Sequence, residues 1–375
     1  MKRNGTRIHG AALGLMLPLA AVACGGEGGA REAQDASAEG LVPRFEVAPD
    51  WPRLPGNWVV ASGLGLFVDE RDHVWFSHRA ELAGPEDLAA AAEPPGIPAP
   101  LVVELDPSGS VVQAWGHHDE ADQWPTVLHG FFVDPAGPVW TSARDQHQIM
   151  KFSRSGELLL TIGVKDETGG SNDPGRLGRP SDIWVHPATN ELFVVDGYTN
   201  RRVIVYDGDT GAYLRHWGAY GEPPVDGGGG RGGAQAEDAG PPRQFSTVHS
   251  IVGSHDDLIY VADRQNSRLQ VFRPSGEFVA ERILRQGGGA AFAVALSHDP
   301  DQRFVYVADG TEHKVRILRR SDLEVVGEFG SEGAGPGQFR RPHNIGVDSH
   351  GNLYVAEAEP GWRVQKFNFL GLQLP

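Results

Sequence analysis

The chain has 375 residues, of which Gly (50) and Pro (27) make up about a fifth, below the share that marks a disordered or fibrous sequence. Nine Trp, 16 Phe and seven Tyr supply a core for one large domain or two ordinary ones, and a net charge of −16 without a basic cluster excludes nucleic acid as a partner. A single cysteine, Cys24, excludes an intramolecular disulfide.

Lys2, Arg3 and Arg7 make a basic start, followed by an apolar run over 11–23 that ends in small residues. The run is too short to span a bilayer, and 1–23 reads as a secretory signal. The junction Ala21-Val22-Ala23-Cys24-Gly25 resembles a bacterial lipoprotein cleavage site, where the cysteine thiol takes a lipid after export. Ala21 stands where Leu is usual, so a plain signal peptide stays open. The expectation is an exported protein, lipid-anchored through Cys24 in the bacterial cell envelope. Residues 24–42, small and polar, would serve as a flexible tether to a folded domain over 43–375. Within 41–60, Phe45-Glu46-Val47 and Trp51-Pro52-Arg53-Leu54-Pro55 are expected to pack on, or close, the edge of that domain.

From residue 63 onward, short β-rich runs alternate with Gly/Asp/Asn/Pro clusters, the signature of strands and hairpins. The clearest unit is 248–272, with strands at 249–252, 258–262 and 268–272. Similar units begin at Gly65-Leu66-Phe67-Val68-Asp69, His129-Gly130-Phe131-Phe132-Val133-Asp134, Ser181-Asp182-Ile183-Trp184-Val185, Ala293-Val294-Ala295-Leu296 and His343-Asn344-Ile345-Gly346-Val347-Asp348. An Ala/Pro/Glu-rich insertion, 82–100, interrupts the first unit. A Gly/Pro-rich excursion, 222–242, follows the third and is expected to be a mobile surface loop. Six copies of a four-stranded unit, none able to bury both faces of its own sheet, must stack. The chain is therefore expected to be all-β, a six-bladed β-propeller. The corners Asn200-Arg201-Arg202 and Asn266-Ser267-Arg268 resemble those of NHL repeats, and Arg202 and Arg268 are assigned to them. A flat double sheet is the weaker alternative.

The first strand of each propeller blade lines the central channel. His129, His249 and His343 open that strand in copies two, four and six. Alternate blades of six lie about 120° apart, so three imidazoles would converge on one axis. That is the arrangement of a three-histidine zinc site with its fourth position open, the catalytic kind. Any one of these histidines alone reads more simply as a solvated strand end. The alternation, absent from copies one, three and five, favours the metal. Asp182 opens copy three at the same mouth and is expected to support a ligand by hydrogen bonding. His117, His118, His147 and His313 fit no converging geometry and are expected at the surface.

In one order and with compatible spacing, Val74-Trp75-Phe76-Ser77-His78-Arg79, His129-Gly130, Asp196-Gly197-Tyr198-Thr199-Asn200-Arg201-Arg202, Val248-His249-Ser250, Ala262-Asp263-Arg264-Gln265-Asn266-Ser267-Arg268-Leu269-Gln270 and Pro342-His343-Asn344 occur. Over roughly 63–367 this set resembles the lyase domain of peptidylglycine α-amidating enzymes, the peptidylamidoglycolate lyases. The resemblance implies a six-bladed propeller that cleaves a peptide ending in α-hydroxyglycine to a peptide amide and glyoxylate. It implies zinc on His129, His249 and His343, Tyr198 as catalytic base, and Arg79 and Arg264 lining the pocket. The chemistry suits these residues. Loss of the carbinolamide hydroxyl proton lets the carbon–nitrogen bond break, a Lewis acid stabilises the alkoxide, and an arginine grips the substrate carboxylate. A phenol ionises only near pH ~10, so a tyrosine base needs positive charge beside it.

The resemblance also implies a structural calcium in the channel, with Leu66 and Phe131 offering backbone oxygens. The family's aspartate there is Asn344 in this chain, a ligand with less charge and so lower expected affinity. Thr199 and the single cysteine exclude the disulfides of animal members. The expected partners are a small-molecule or peptide C-terminal substrate and a membrane reached through the lipid on Cys24; a monomer is expected. Two other readings stand beside the lyase: a non-catalytic NHL propeller that binds a protein or cell-envelope ligand at its rim, and a metal-dependent hydrolase such as a lactonase. A histidine triad in place of carboxylates argues against the last.

Overall fold

The structure, a computed structural model, describes residues 40–90, 96–116, 124–125, 127–227 and 240–375. Val42–Pro375 forms one compact unit. The signal segment, Cys24 and all but the end of the tether lie outside the described residues, as do His117 and His118. No helix among the described residues is long and apolar enough to cross a membrane.

Six four-stranded antiparallel sheets and one two-stranded parallel pair make up this unit. The inner strands are Gly63–Val68, Leu128–Val133, Asp182–Val185, Val248–Gly253, Ala291–Leu296 and Pro342–Val347. Each touches the inner strand of the next blade, and the sixth touches the first, so the ring is closed. This is the six-bladed β-propeller expected from the NHL-type repeat. Blade four gains a fourth strand, Phe278–Ile283, beyond the three evident in the sequence. Blade six takes its outer strand from the other end of the chain. Val42–Val47 pairs antiparallel with Arg363–Gln373, Val42 opposite Gln373 and Val47 opposite Phe367. The 41–60 segment thus does close the domain edge, by a strand that covers the edge of Arg363–Gln373 and completes the last blade.

Hydrophobic clusters lie between successive blades, one at each of the six junctions. Phe193, Val205, Val261 and Phe272 fill the junction of blades three and four. Leu66, Val74, Phe76, Tyr354 and Val364 fill that of blades six and one. Ala293, Tyr306, Phe339 and Phe367 pack between five and six, where Phe45 of the closing strand joins them. Each blade has two apolar faces and only a neighbour to cover them, which explains the near-continuous apolar runs of the middle strands. Truncating one such Phe to Ala costs about 3–5 kcal/mol.

The two composition-biased segments are partly ordered. Pro85–Ala90 is a short helix, and Ile97–Pro98 pairs in parallel with Trp58–Val59. The start of the 222–242 excursion is fixed rather than mobile. Asp226 accepts hydrogen bonds from the Ser171 backbone and hydroxyl, and the Val225 N–H donates to Gln244. A short polar side chain can anchor a loop that composition alone marks as unpacked. Residues 91–95 and 228–239 lie outside the described residues.

Candidate metal centre and cavity

His129, His249 and His343 lie on the inner strands of blades two, four and six, and the ring brings them together. Their ring centroids are 4.8–4.9 Å apart in all three pairs. Their ligating nitrogens lie within 4.8 Å of one another. All three are buried. Each turns Nδ1 to the equivalent backbone carbonyl of the next blade: His129 to Ser181 (2.7 Å), His249 to Phe292 (2.5 Å) and His343 to Leu64 (3.1 Å). A carbonyl only accepts, so each Nδ1 carries the proton and each Nε2 presents a lone pair to the axis.

Burial holds all three imidazoles neutral. Burial, then the repulsion a protonated His343 would exert, keeps His129 and His249 well below the ordinary range, and burial with the Arg264 charge brings His343 down to about 3. The Tyr198 hydroxyl lies 3.0 Å from His129 Nε2 and 3.1 Å from His249 Nε2. It has one proton to give, so it can satisfy only one of the two inward lone pairs it faces. Three neutral, oriented imidazoles, with the Tyr198 hydroxyl beside two of them, suit a divalent ion of the zinc type. The support expected from Asp182 comes instead from the carbonyl of Ser181, one residue earlier.

A corner between the second and third strands of blade three carries Tyr198, and buried polar groups pin it. Asp196 accepts from the Gly178 N–H (2.7 Å), Asn200 Nδ2 (2.7 Å) and Arg202 Nε (3.0 Å). The Arg202 guanidinium, fully buried, also donates to the carbonyls of Ser171, Asp173 and Arg176. Gly197 lies so close to blade four that a Cβ there would fall 1.8 Å from the Val248 carbonyl oxygen. Blade four repeats the corner: Asp263 holds Arg268 Nε (2.8 Å) and Asn266 Nδ2 (2.7 Å), and Arg264 follows the aspartate. The Asn-x-Arg corners are thus the frame that aims Tyr198 and Arg264 at the channel. Arg264 Nη1 lies 3.3 Å from the Tyr198 oxygen, and its guanidinium stacks 4.0 Å over the Phe292 ring.

A cavity of about 230 Å³ opens at this mouth, lined by Arg79, Arg144, Tyr198, Arg264, Phe292, Arg341, His343 and Glu359 among others. Both expected arginines are there. Arg79 is held by Glu81 (2.7 Å) and faces Glu359 (3.7 Å). The residue before it, His78, is buried and grips the insertion by hydrogen-bonding the carbonyls of Ala99 and Pro100. Arg144 and Arg341 were not foreseen. Arg144 forks onto Asp145 and sits 4.9 Å from the Tyr198 ring centroid. The repeat carried a usable signal. Arg79, Arg144, Tyr198 and Arg264 occupy one place in their blades, with N–H groups donating back to Ser62, Val127, Arg179 and Thr247, and Ala358 donates likewise to Arg341. Aligning the blades on that corner brings all these side chains to one rim.

Leu66, Phe131 and Asn344 line a separate, deeper channel segment of about 170 Å³ together with Asp182, Ser250 and Ile345. The Asn344 amide oxygen accepts its neighbour's N–H, from Ile345 at 2.8 Å. The expected calcium set therefore offers no anion, and Asp182 is the carboxyl lining that segment. Burial pushes it up to about 7 against the pull of hydrogen bonds from Ser250, Ile183, Ile251 and Phe131. Such a set fits calcium poorly. His147 and His313 are not bare surface residues. Each is half-buried and ties down a loop, His147 accepting from the Arg179 N–H and His313 bonding the Arg340 carbonyl. Asp69, His73 and Glu104 also cluster, but Arg71 and Arg154 bridge the two carboxylates and account for them as a structural ion-pair network.

No family model matches the chain. It is similar to peptidylglycine α-amidating monooxygenase of Rattus norvegicus, 29% identical over 339 residues, which cover 82% of this chain and 30% of that protein. It is also similar to peptidyl-α-hydroxyglycine α-amidating lyase 1 of Drosophila melanogaster, 27% identical over 292 residues, 73% of this chain and 50% of that one. The chain spans about a third of the length of the first curated relatives it matches. Among solved structures, a gluconolactonase from Xanthomonas campestris shares the fold, with a TM-score of 0.55 and 13% identity over 87% of this chain and 94% of that one.

Proposed function

We propose that the chain is a metal-dependent carbon–nitrogen lyase that cleaves a carbinolamide of the α-hydroxyglycine type to an amide and glyoxylate. The observation that carries this reading is the convergence of three neutral imidazoles from alternate blades, with a tyrosine hydroxyl 3.0–3.1 Å from two of them. The two amidating enzymes similar to the chain support it. His129, His249 and His343 would hold zinc, which when bound supplies Lewis-acid stabilisation of negative charge on the substrate hydroxyl oxygen. Tyr198, acting as its phenolate, takes the hydroxyl proton. The oxygen's electron pair forms the aldehyde carbonyl, the carbon–nitrogen bond breaks, and the phenol returns the proton to the departing nitrogen. Arg264, beside the phenol oxygen, stabilises charge developing there and is near enough to the centre to hold the substrate carboxylate. Arg79, tied to Glu81, shapes the far wall.

Glyoxylate release from N-benzoyl-α-hydroxyglycine tests the reading. About one zinc per chain is expected, with activity lost in Tyr198→Phe while zinc is retained. Protein that carries no metal and releases no glyoxylate would leave a rim-binding propeller as the better account. We further propose that the protein is exported and anchored by a lipid on Cys24, supported by the basic start and the Ala23-Cys24 junction. Mass spectrometry of the mature N-terminus, expected to find a lipidated Cys24, tests that.

A further inference from the structure

We infer that the cavity takes substrates bearing a second carboxylate, remote from the one beside the reacting carbon, and that Arg341 selects for it. This rests on the lyase reading. A peptide ending in α-hydroxyglycine brings one carboxylate to the reacting centre, and one guanidinium can hold it bidentately. Among the described residues the cavity is lined by four guanidiniums, Arg79, Arg144, Arg264 and Arg341, against one carboxylate, Glu359. In a chain of net charge −16 that concentration is not background.

The four are not equivalent. Arg79 is engaged by Glu81 and Glu359, and Arg144 by Asp145. Arg264 Nη1 lies 3.3 Å from the Tyr198 hydroxyl and so sits beside the reacting atoms. Arg341 is exposed, and only its backbone N–H, not its guanidinium, bonds a carboxylate among the described residues. It precedes His343 by two residues, on blade six, while Arg264 lies on blade four. Between them the corner of blade five carries Gly310, where a Cβ would fall 2.7 Å from the ring of Phe292, itself on blade five. The Phe292 ring floors that sector, with Arg264 stacked on it. A substrate held at the histidines with its first carboxylate on Arg264 shares one cavity with Arg341. An acyl group ending in a carboxylate would complete the charge balance there.

Zinc-loaded protein assayed with N-succinyl- and N-butyryl-α-hydroxyglycine, near-isosteric acyl groups that differ in the second carboxylate, tests this. The expected result is a kcat/KM at least about tenfold higher for the succinyl substrate, carried mainly by KM and shrinking as salt is raised. Arg341→Ala should lower that ratio at least about fivefold, and Arg341→Lys should restore part of it. Equal kcat/KM for the two substrates, or an Arg341→Ala variant that keeps the ratio, overturns the inference. Calorimetric titration with glutarate and butyrate separates it from the lyase reading. Glutarate binding that exceeds butyrate binding and weakens in Arg341→Ala supports the second-carboxylate site even if no glyoxylate is ever released, an outcome that sinks the lyase alone. Indistinguishable binding of the two acids overturns the site.

Discussion

Replacing Asp182 by Asn should raise the stability of the metal-free protein at high pH and leave it nearly unchanged at low pH. The carboxyl lines the channel segment beneath the histidines, 8% exposed, and is pushed up to about 7 from an ordinary value of 3.8. A carboxyl raised on folding favours the native state fully only below its unfolded value, and the advantage is lost as pH rises through the folded one. Worked through the linkage relation, the group costs about 1.5 kcal/mol at pH 5 and about 4 kcal/mol at pH 8, relative to an unperturbed carboxyl. Asn keeps an acceptor for the Ile251 N–H, which donates to Asp182 at 3.2 Å, and forfeits about 1–2 kcal/mol of the carboxyl's other hydrogen bonding at either pH. The variant should therefore gain about 2–3 kcal/mol at pH 8 and almost nothing at pH 5. Urea unfolding of both proteins in chelator, across pH 5–8, measures this as a difference in slope. Parallel pH profiles, or an Asn variant weaker at pH 8, would refute the claim that burial raises the Asp182 carboxyl.

Stripping the metal should leave the propeller folded, because the blade-to-blade clusters do not involve the histidines; circular dichroism before and after chelation should differ little, while His249→Ala should drop zinc stoichiometry several-fold. Gly197→Ala should displace the tyrosine corner, since its Cβ would overlap the Val248 carbonyl; a loss of kcat of tenfold or more is expected, and unchanged turnover would count against the corner as the device that aims Tyr198. On the acid side, burial depresses His78 to about 4, so its contribution is complete above pH ~6.5 and is lost as pH falls toward 4, worth about 3 kcal/mol. His78→Gln, able to keep both hydrogen bonds, should lose less stability than the parent over that interval.

Much of the site was legible because the repeat made it so. The alternation of His129, His249 and His343 among six similar units is a statement about angles once the units form a ring. The corners around Asp196 and Asp263 were visible as Asn-x-Arg patterns, though their task of holding Tyr198 and Arg264 was not. Arg144 and Arg341 were overlooked since an arginine in a loop looks solvated until six loops meet at one rim. The role expected of Asp182 passed to the Ser181 carbonyl, because adjacent residues of a strand face different ways and a one-residue offset sends the carboxyl to a different part of the channel.

The sequence by itself determined the blades, their number and the identity of the three imidazoles, because strand period and turn chemistry are local properties that a chain cannot hide. Only the tertiary structure decided that residues 42–47 complete the sixth blade, that each imidazole is oriented by a carbonyl from the following blade, and that four guanidiniums share one cavity. Those are contacts between residues far apart in the chain, fixed by how tightly the ring closes, and no local pattern records them.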